Sequence, residues 1–322
     1  MIKHRAFFFV IALGIVSAVG CASTSTSVGT SILENEKGET VIAENLDCCD
    51  DFRRQIMRLE SGKEVIILVH GCKASSGHFL TLKEVFASRG QQAICFSYDY
   101  RDSIEECSAR LMKAINLIDG FLDPPAITIV AHSQGGLVAR RAIISDRPDN
   151  LSLKVNSNKV RLVTISSPFN GIKASSHCGI TPLHVATAGT TVLICQIIAG
   201  STWSEIPPGS EFITNPGTLA NAVTAHIKIN TDEQDTCRSV NEDGSCNESD
   251  FVFALDEQYA PPVDADSRVI NIELHAGHAQ IVGKPGRPPY ELISILEEHR
   301  VLRPQTLLTR AEDSALLLSL YQ

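Results

Sequence analysis

The sequence carries little charge and no positive excess. Asp, Glu, Lys and Arg make up 20% of its 322 residues, and the formal net charge is −9. A basic face of the kind that holds nucleic acid or an anionic membrane surface is therefore not expected. No spacing among the cysteines resembles a zinc site, and no segment repeats along the chain. Long apolar runs are scarce as well. The stretch from Ala6 to Val16 is too short to span a bilayer, and the low-charge run from Thr181 to Gly200 is diluted by small residues, His184 and Gln196. What is present is a 43% hydrophobic share, ample for a buried core in one large domain or two ordinary ones.

The first residues read as an address. Lys3 and Arg5 precede the apolar stretch, and small residues then lead to Cys21, a secretory signal layout. The ending "SAVGC" resembles the lipobox of bacterial lipoproteins, which implies a lipidated Cys21 as the first mature residue; Ala18 stands where leucine is commoner. An ordinary cleaved signal with an incidental cysteine is the other reading. Ala22, in place of aspartate, resembles lipoproteins sorted to an outer membrane, if the host is Gram-negative. The expected division is a signal peptide over 1–20, a flexible lipid-anchored tether over 21–40, a main domain over 41–302 and a tail over 303–322. The expected location is a bacterial cell envelope, or outside the cell if Cys21 is not lipidated.

Of the ten cysteines, nine follow Cys21. An oxidising compartment permits disulfides, and an odd count leaves a free thiol. Cys237 and Cys246 bracket a polar loop and form the best pair. Cys95 and Cys195 lie in apolar surroundings and read as buried free thiols. Vicinal Cys48 and Cys49 have no evident role.

Through the middle of the chain, β-branched runs alternate with helical patterns. "KEVIILVHG" (63–71), "QQAICFSYDY", "AITIVAHS" and "KVRLVTISSP" read as strands. The intervening segments read as amphipathic helices, one stopped by Gly90 and the next N-capped by Asp102. That alternation predicts an α/β fold, a mostly parallel sheet with helices on both faces. Residues 172–224 break the rhythm and suggest a cap or lid. The strand "AHIKIN" (225–230), an acidic loop over 232–250, the strand "SRVINIEL" (267–274) and a helix from Pro289 to Arg300 follow. The tail after residue 303 has a helical pattern and no readable role.

The chemistry centres on "AITIVAHSQGGLVARR". A strand that turns sharply into a helix exposes its junction residue, and glycines let neighbouring backbone approach. A serine there has its hydroxyl beside helix N-terminal N–H groups that can stabilise an oxyanion. Ser133 is thus the candidate nucleophile, with Ala131 in place of the first glycine of G-x-S-x-G.

With this segment, "LVHGCKASS", "FSYDYRDSIEE", "ISSPFNG", "PPGSEF" and "HAGHAQIVGKP", the chain resembles the α/β-hydrolase superfamily over residues 63 to about 300, and within it the bacterial lipases and esterases with A-H-S-x-G-G. The resemblance implies backbone N–H groups of Cys72 and Gln134 as the oxyanion hole, and a chain order of Ser, acid, His. His278, in the loop after the last strand, is chosen as the base over His275; His70 and His132 read as supporting residues. The acid is expected to be Asp250, by resemblance of "SDFVFALDEQYA" to the family's D-G-V-V stretch. Asp256 is the choice if "FVFAL" is itself a strand, and Asp232 is a third candidate. An EF-hand-like spacing at Ser239, Asn241, Asp243, Gly244 and Asp250 has no acidic first position, no glutamate at the twelfth and no evident flanking helices, and is set aside. No metal or organic cofactor is required by this reading. The expected activity is carboxylic ester hydrolysis through an acyl-enzyme, on lipophilic esters; acyl transfer by the same residues, or a catalytically silent envelope scaffold, are the alternatives.

Overall fold

Five consecutive aliphatic residues, Val65–Val69, are all buried because their strand lies inside a sheet covered on both faces. Alternation divides them: Val65, Ile67 and Val69 belong to one core, Ile66 and Leu68 to the other. These features are seen in a computed structural model that describes residues 30–51, 55–156, 158–175, 200–305 and 309–322. The expected signal peptide, Cys21, Cys195 and residues 181–199 of the low-charge run lie outside the described residues. Among the described residues no helix is long and apolar enough to cross a membrane.

The strands in chain order are β1 (Thr30–Glu34), β2 (Thr40–Glu44), β3 (Leu46–Asp47), β4 (Ile56–Arg58), β5 (Val65–Val69), β6 (Gln92–Phe96), β7 (Ile127–His132), β8 (Val160–Ile165), β9 (Val223–Asp232), β10 (Cys237–Val240), β11 (Cys246–Ser249) and β12 (Val269–His275). Seven form the main sheet in the order β12-β9-β8-β7-β5-β6-β3. Every pairing in it is parallel except that of β3 with β6. Residues 30–40 of the expected tether are described: β1 pairs with β2 and with β4 in a small separate sheet. Its inward residues Leu33, Ala43 and Met57 join the first core, so these residues belong to the domain.

Three helices follow the strands that carry the site: α1 (Leu80–Ser88), α2 (Ile104–Leu122) and α3 (Gln134–Ala142). In α2 the buried positions Ile104, Cys107, Leu111, Ile115, Ile118 and Leu122 recur at three and four residues, the stripe that packs on the sheet. Its N-cap is Ser103, not Asp102, which instead pairs with Arg110 at 2.6 Å. The first turn is capped from a distance: Glu205 accepts hydrogen bonds from the N–H of Ile104 at 2.7 Å and of Glu105 at 3.3 Å. Glu205 comes from within the expected cap segment, whose described later part returns through a short helix, Glu211–Thr214, to β9.

On the opposite face, α4 (Tyr290–Glu298) and α5 (Arg310–Leu320) pack beside α1, with Leu317 and Tyr321 buried in the second core. Arg89, at the end of α1, pairs with Asp313 at 2.7 Å and Glu297 at 3.5 Å, and so ties the tail to the domain. Cys237–Cys246 is a disulfide across the hairpin of β10 and β11, which occupies the expected acidic loop. Cys95 is not a free thiol. It is bridged to Cys49, because antiparallel pairing places Asp47 of β3 opposite Cys95 and brings the next turn of chain over it.

Candidate active site

The sharp turn between β7 and α3 places Ser133 at φ 55°, ψ −128°, a backbone conformation that an L-residue adopts only where its surroundings enforce it. Two hydrogen bonds do so here: Ser133 N–H donates to Ile165 O at 2.9 Å, and Ser133 O accepts from Gly136 N–H at 2.9 Å. Gly135 is required by close approach, since a Cβ there would run into the carbonyl oxygens of Val69 and His70. Ala131, standing where the motif has its first glycine, is wholly buried within β7.

The loop after β12 brings His278 to this turn. Its Nε2 lies 3.1 Å from Ser133 Oγ, although the two are 145 residues apart in sequence. The ring is packed edge-on by Phe253 at 4.9 Å and flanked by His132 at 4.7 Å. His132 donates through Nε2 to the carbonyl of His278 at 2.9 Å. Burial, followed by the charge on His278, pushes His132 well below the usual histidine range. It is a strut for the loop that carries its neighbour.

The carboxylate that meets His278 is Glu233, not Asp250. Glu233 Oε1 is 2.8 Å from His278 Nδ1, and the side chain has no solvent exposure. Its Oε2 accepts from the N–H groups of Val252 at 2.7 Å and Phe253 at 3.2 Å. Burial raises the Glu233 pKa, but the hydrogen bond and charge of His278, then the bonds from Ser166 and Val252, outweigh it and hold the group below its ordinary value. A buried carboxylate with these donors stays ionised at neutral pH.

Asp250, the expected acid, is also buried, but its carboxylate does not reach the ring. It accepts from Gln280 N–H at 2.9 Å and Ala279 N–H at 3.1 Å, pairs with Arg238 at 3.0 Å, and its carbonyl accepts from His278 N–H at 3.0 Å. It fastens the histidine loop from behind. Gly277 leaves the room: a Cβ there would collide with the Asp250 carboxylate. The other two candidates lie at the surface. Asp256 pairs with Lys173, and Asp232 lies 4.0 Å from exposed His275, its register partner at the ends of β9 and β12. "FVFAL" is not a strand; it is a loop, ending in the short helical turn that begins at Leu255, that lends two N–H groups to Glu233 and one aromatic ring to His278.

Glu233 directly follows Asp232, the third expected candidate, in the sequence, and was not among the expected acids, all of which are aspartates. The available signal was alternation of residue type: Ile227, Ile229 and Thr231 of β9 share a face whose two-residue period carries on to 233, whereas His226, Lys228, Asn230 and Asp232 fall on the other face, which is buried as well as far as Asn230.

On the other side of Ser133, Gly71 packs so closely that an added Cβ would lie 2.8 Å from Ser133 Cβ. Cys72 follows it directly. Among the described residues, the backbone N–H groups of Cys72 and Gln134 have no acceptor. His70 supports this loop: Nδ1–H donates to Gly71 O at 3.0 Å, the ring stacks on Tyr98 at 4.4 Å, and Tyr98 Oη–H donates to His70 O at 2.8 Å. Burial pushes the His70 pKa down to about 4, so it is neutral. Beside α3 lies a small open-sided depression lined by Leu137, Phe169, Phe212, Ile213 and Pro216 with Arg140 and Arg141; neither Ser133 nor His278 is part of its lining.

Residues 60–196 match the family described as "Putative serine esterase (DUF676)". Among curated proteins, none matches the chain. Among solved structures, the chain is similar to the mature form of a Bacillus licheniformis lipase, with a TM-score of 0.51 and 15% identity over 74% of this chain and 92% of that one. The propeptide form of the same lipase gives a TM-score of 0.51 and 13% identity over 77% of this chain and 52% of that one. At such identities the likeness concerns architecture, and the architecture is that of the α/β hydrolases, with residues 60–196 carrying the pattern of a serine esterase family.

Proposed function

We propose that the protein is a serine ester hydrolase whose catalytic residues are Ser133, His278 and Glu233. The observation that carries this is the unbroken chain Ser133 Oγ to His278 Nε2 at 3.1 Å and His278 Nδ1 to Glu233 Oε1 at 2.8 Å. Ser133 attacks the ester carbonyl while Nε2 takes its proton. Glu233 keeps the Nδ1–H tautomer in place and stabilises the imidazolium that results. The N–H groups of Cys72 and Gln134 stabilise the tetrahedral oxyanion. His278 then protonates the departing alcohol, and a water activated by the same nitrogen releases the acid from Ser133. No step calls for a metal or an organic cofactor.

The substrate is assigned as a lipophilic ester. The low-charge run over 181–200 and the likeness to lipases support that class. Lipidation of Cys21, as the "SAVGC" sequence suggests, would hold the enzyme at an envelope membrane.

Reaction of the purified protein with a fluorophosphonate tests the reading. Wild type is expected to label on Ser133, Ser133→Ala not at all, and His278→Ala slowly. A folded wild type that stays unlabelled overturns it. Product analysis with an added alcohol separates hydrolysis from acyl transfer, and hydrolysis alone is expected.

A further inference from the structure

A third hydroxyl is built into the buried Glu233–His278 contact. Ser166 follows β8 directly and has φ 47°, a left-handed conformation held by a bond from its N–H to Ile229 O at 2.8 Å. Its side chain has no solvent exposure. Ser166 Oγ lies 2.6 Å from Glu233 Oε1 and 2.9 Å from His278 Nδ1, and it accepts from Thr231 Oγ1 at 2.7 Å, the shorter of that hydroxyl's two contacts, the other being Glu233 Oε1 at 3.2 Å. Thr231 is itself pinned by Gln258, which accepts from its N–H at 2.9 Å and donates to its carbonyl at 2.7 Å.

We propose that Ser166, oriented by Thr231, is a positioning residue that works with Glu233 to hold His278 in its Nδ1–H tautomer; the proposal rests on the Ser133–His278–Glu233 reading. A serine hydroxyl has one proton and two lone pairs. The short contact to the ionised Glu233 takes the proton. One lone pair accepts from Thr231. Only the second lone pair is left to face Nδ1, so that nitrogen must carry hydrogen and Nε2 must be bare, the form needed to accept the Ser133 proton. When the imidazolium forms, its Nδ1–H already faces two oxygens, at 2.8 Å and 2.9 Å, so nothing has to reorganise. Ser166 takes no part in bond making, because its proton and both lone pairs are committed.

A double-mutant cycle in the full protein tests this. Ser166→Ala is expected to lower kcat about tenfold with KM unchanged within about twofold, the loss of one preorganised hydrogen bond. In a Glu233→Gln background the same substitution is expected to change kcat by less than about twofold, because the charge it serves has gone. A general packing role would lower both backgrounds alike, and that outcome overturns the proposal, as does a wild-type kcat for Ser166→Ala. Thr231→Val, which removes the orienting hydroxyl and its longer contact to Glu233 at nearly constant volume, is expected to lower kcat about threefold in wild type and by less than about twofold beside Ser166→Ala. An unchanged wild-type value overturns the proposal, as does an equal loss in the two backgrounds. Ser166→Thr, which keeps the hydroxyl, serves if Ser166→Ala does not fold, with retained activity expected and a loss as large as that of Glu233→Gln overturning the proposal. Ser133→Ala keeps the two readings apart. If it still hydrolyses esters, the underlying assignment fails; if it is inactive while Ser166→Ala is fully active, only the role of Ser166 fails.

Discussion

Glu233 Oε1 lies 2.8 Å from Nδ1 of His278, across 45 residues of sequence that include a disulfide-closed hairpin and a separate buried aspartate. Both carboxylates act on the histidine loop. Glu233 meets the ring, whereas Asp250 meets the backbone that presents it.

That division predicts distinct variants. Glu233→Gln is expected to lower kcat by about 10³-fold with little change in KM, through loss of tautomer control and imidazolium stabilisation. Asp250→Asn is expected to cost about 2 kcal/mol of stability, since a buried cluster of donors loses its anion, and to lower kcat about tenfold through the displaced loop. Asp232→Asn and Asp256→Asn, at the surface, are expected to stay within about twofold of wild type. Steady-state kinetics beside thermal unfolding checks all four.

Two glycines make opposite predictions. Gly135→Ala forces a Cβ onto the Val69 and His70 carbonyls and is expected to lose about 2 kcal/mol or more, together with most activity. Gly120→Ala, exposed in α2 with open space around it, is expected to gain about 0.5–1 kcal/mol at unchanged kcat. Urea unfolding of both proteins measures the contrast.

Stability should fall on mild acidification. Burial depresses His70 to about 4, and holds His132 and His226 well below the usual range. The unfolded chain therefore takes up protons below about pH 6.5 that the folded chain refuses, and stability is lost as pH falls from there toward 4. His70 alone accounts for about 3 kcal/mol across that window. Glu233 acts lower: its depressed pKa stabilises the fold above its unfolded value near 4.5, and that contribution fades as pH falls through the folded value. Unfolding free energy against pH, compared with His70→Gln, should show a shallower slope for the variant between pH 6.5 and 4.

The two disulfides should differ in weight. Cys49–Cys95 spans 46 residues and Cys237–Cys246 spans 9. On loop-closure entropy, replacing the first pair by serine is expected to cost about 4 kcal/mol and the second about 3 kcal/mol. Cys237 adjoins Arg238, which pairs with Asp250, so loss of the shorter bridge is expected to lower kcat as well. Calorimetry and kinetics on the two double variants check this.

The order of strands and helices, the turn at Ser133 and the histidine loop were all legible in the sequence. Each depends on local rules: β-branched runs for buried strands, glycines where backbone must close up, a strand-end loop for His278. The structure brings Ser133 and His278 together as those rules suggest. The acid was not legible, because its identity depends on which way a side chain points as β9 ends, and a shift of one residue reverses the face. The partner of Cys95 was hidden for a similar reason: only antiparallel pairing of a two-residue strand brings Cys49 over it. Local sequence determined which segments form strands, helices and turns, because propensity and periodicity act within a few residues. The tertiary structure alone decided which carboxylate, hydroxyl and thiol meet, because those contacts depend on the register and direction of chains distant in sequence.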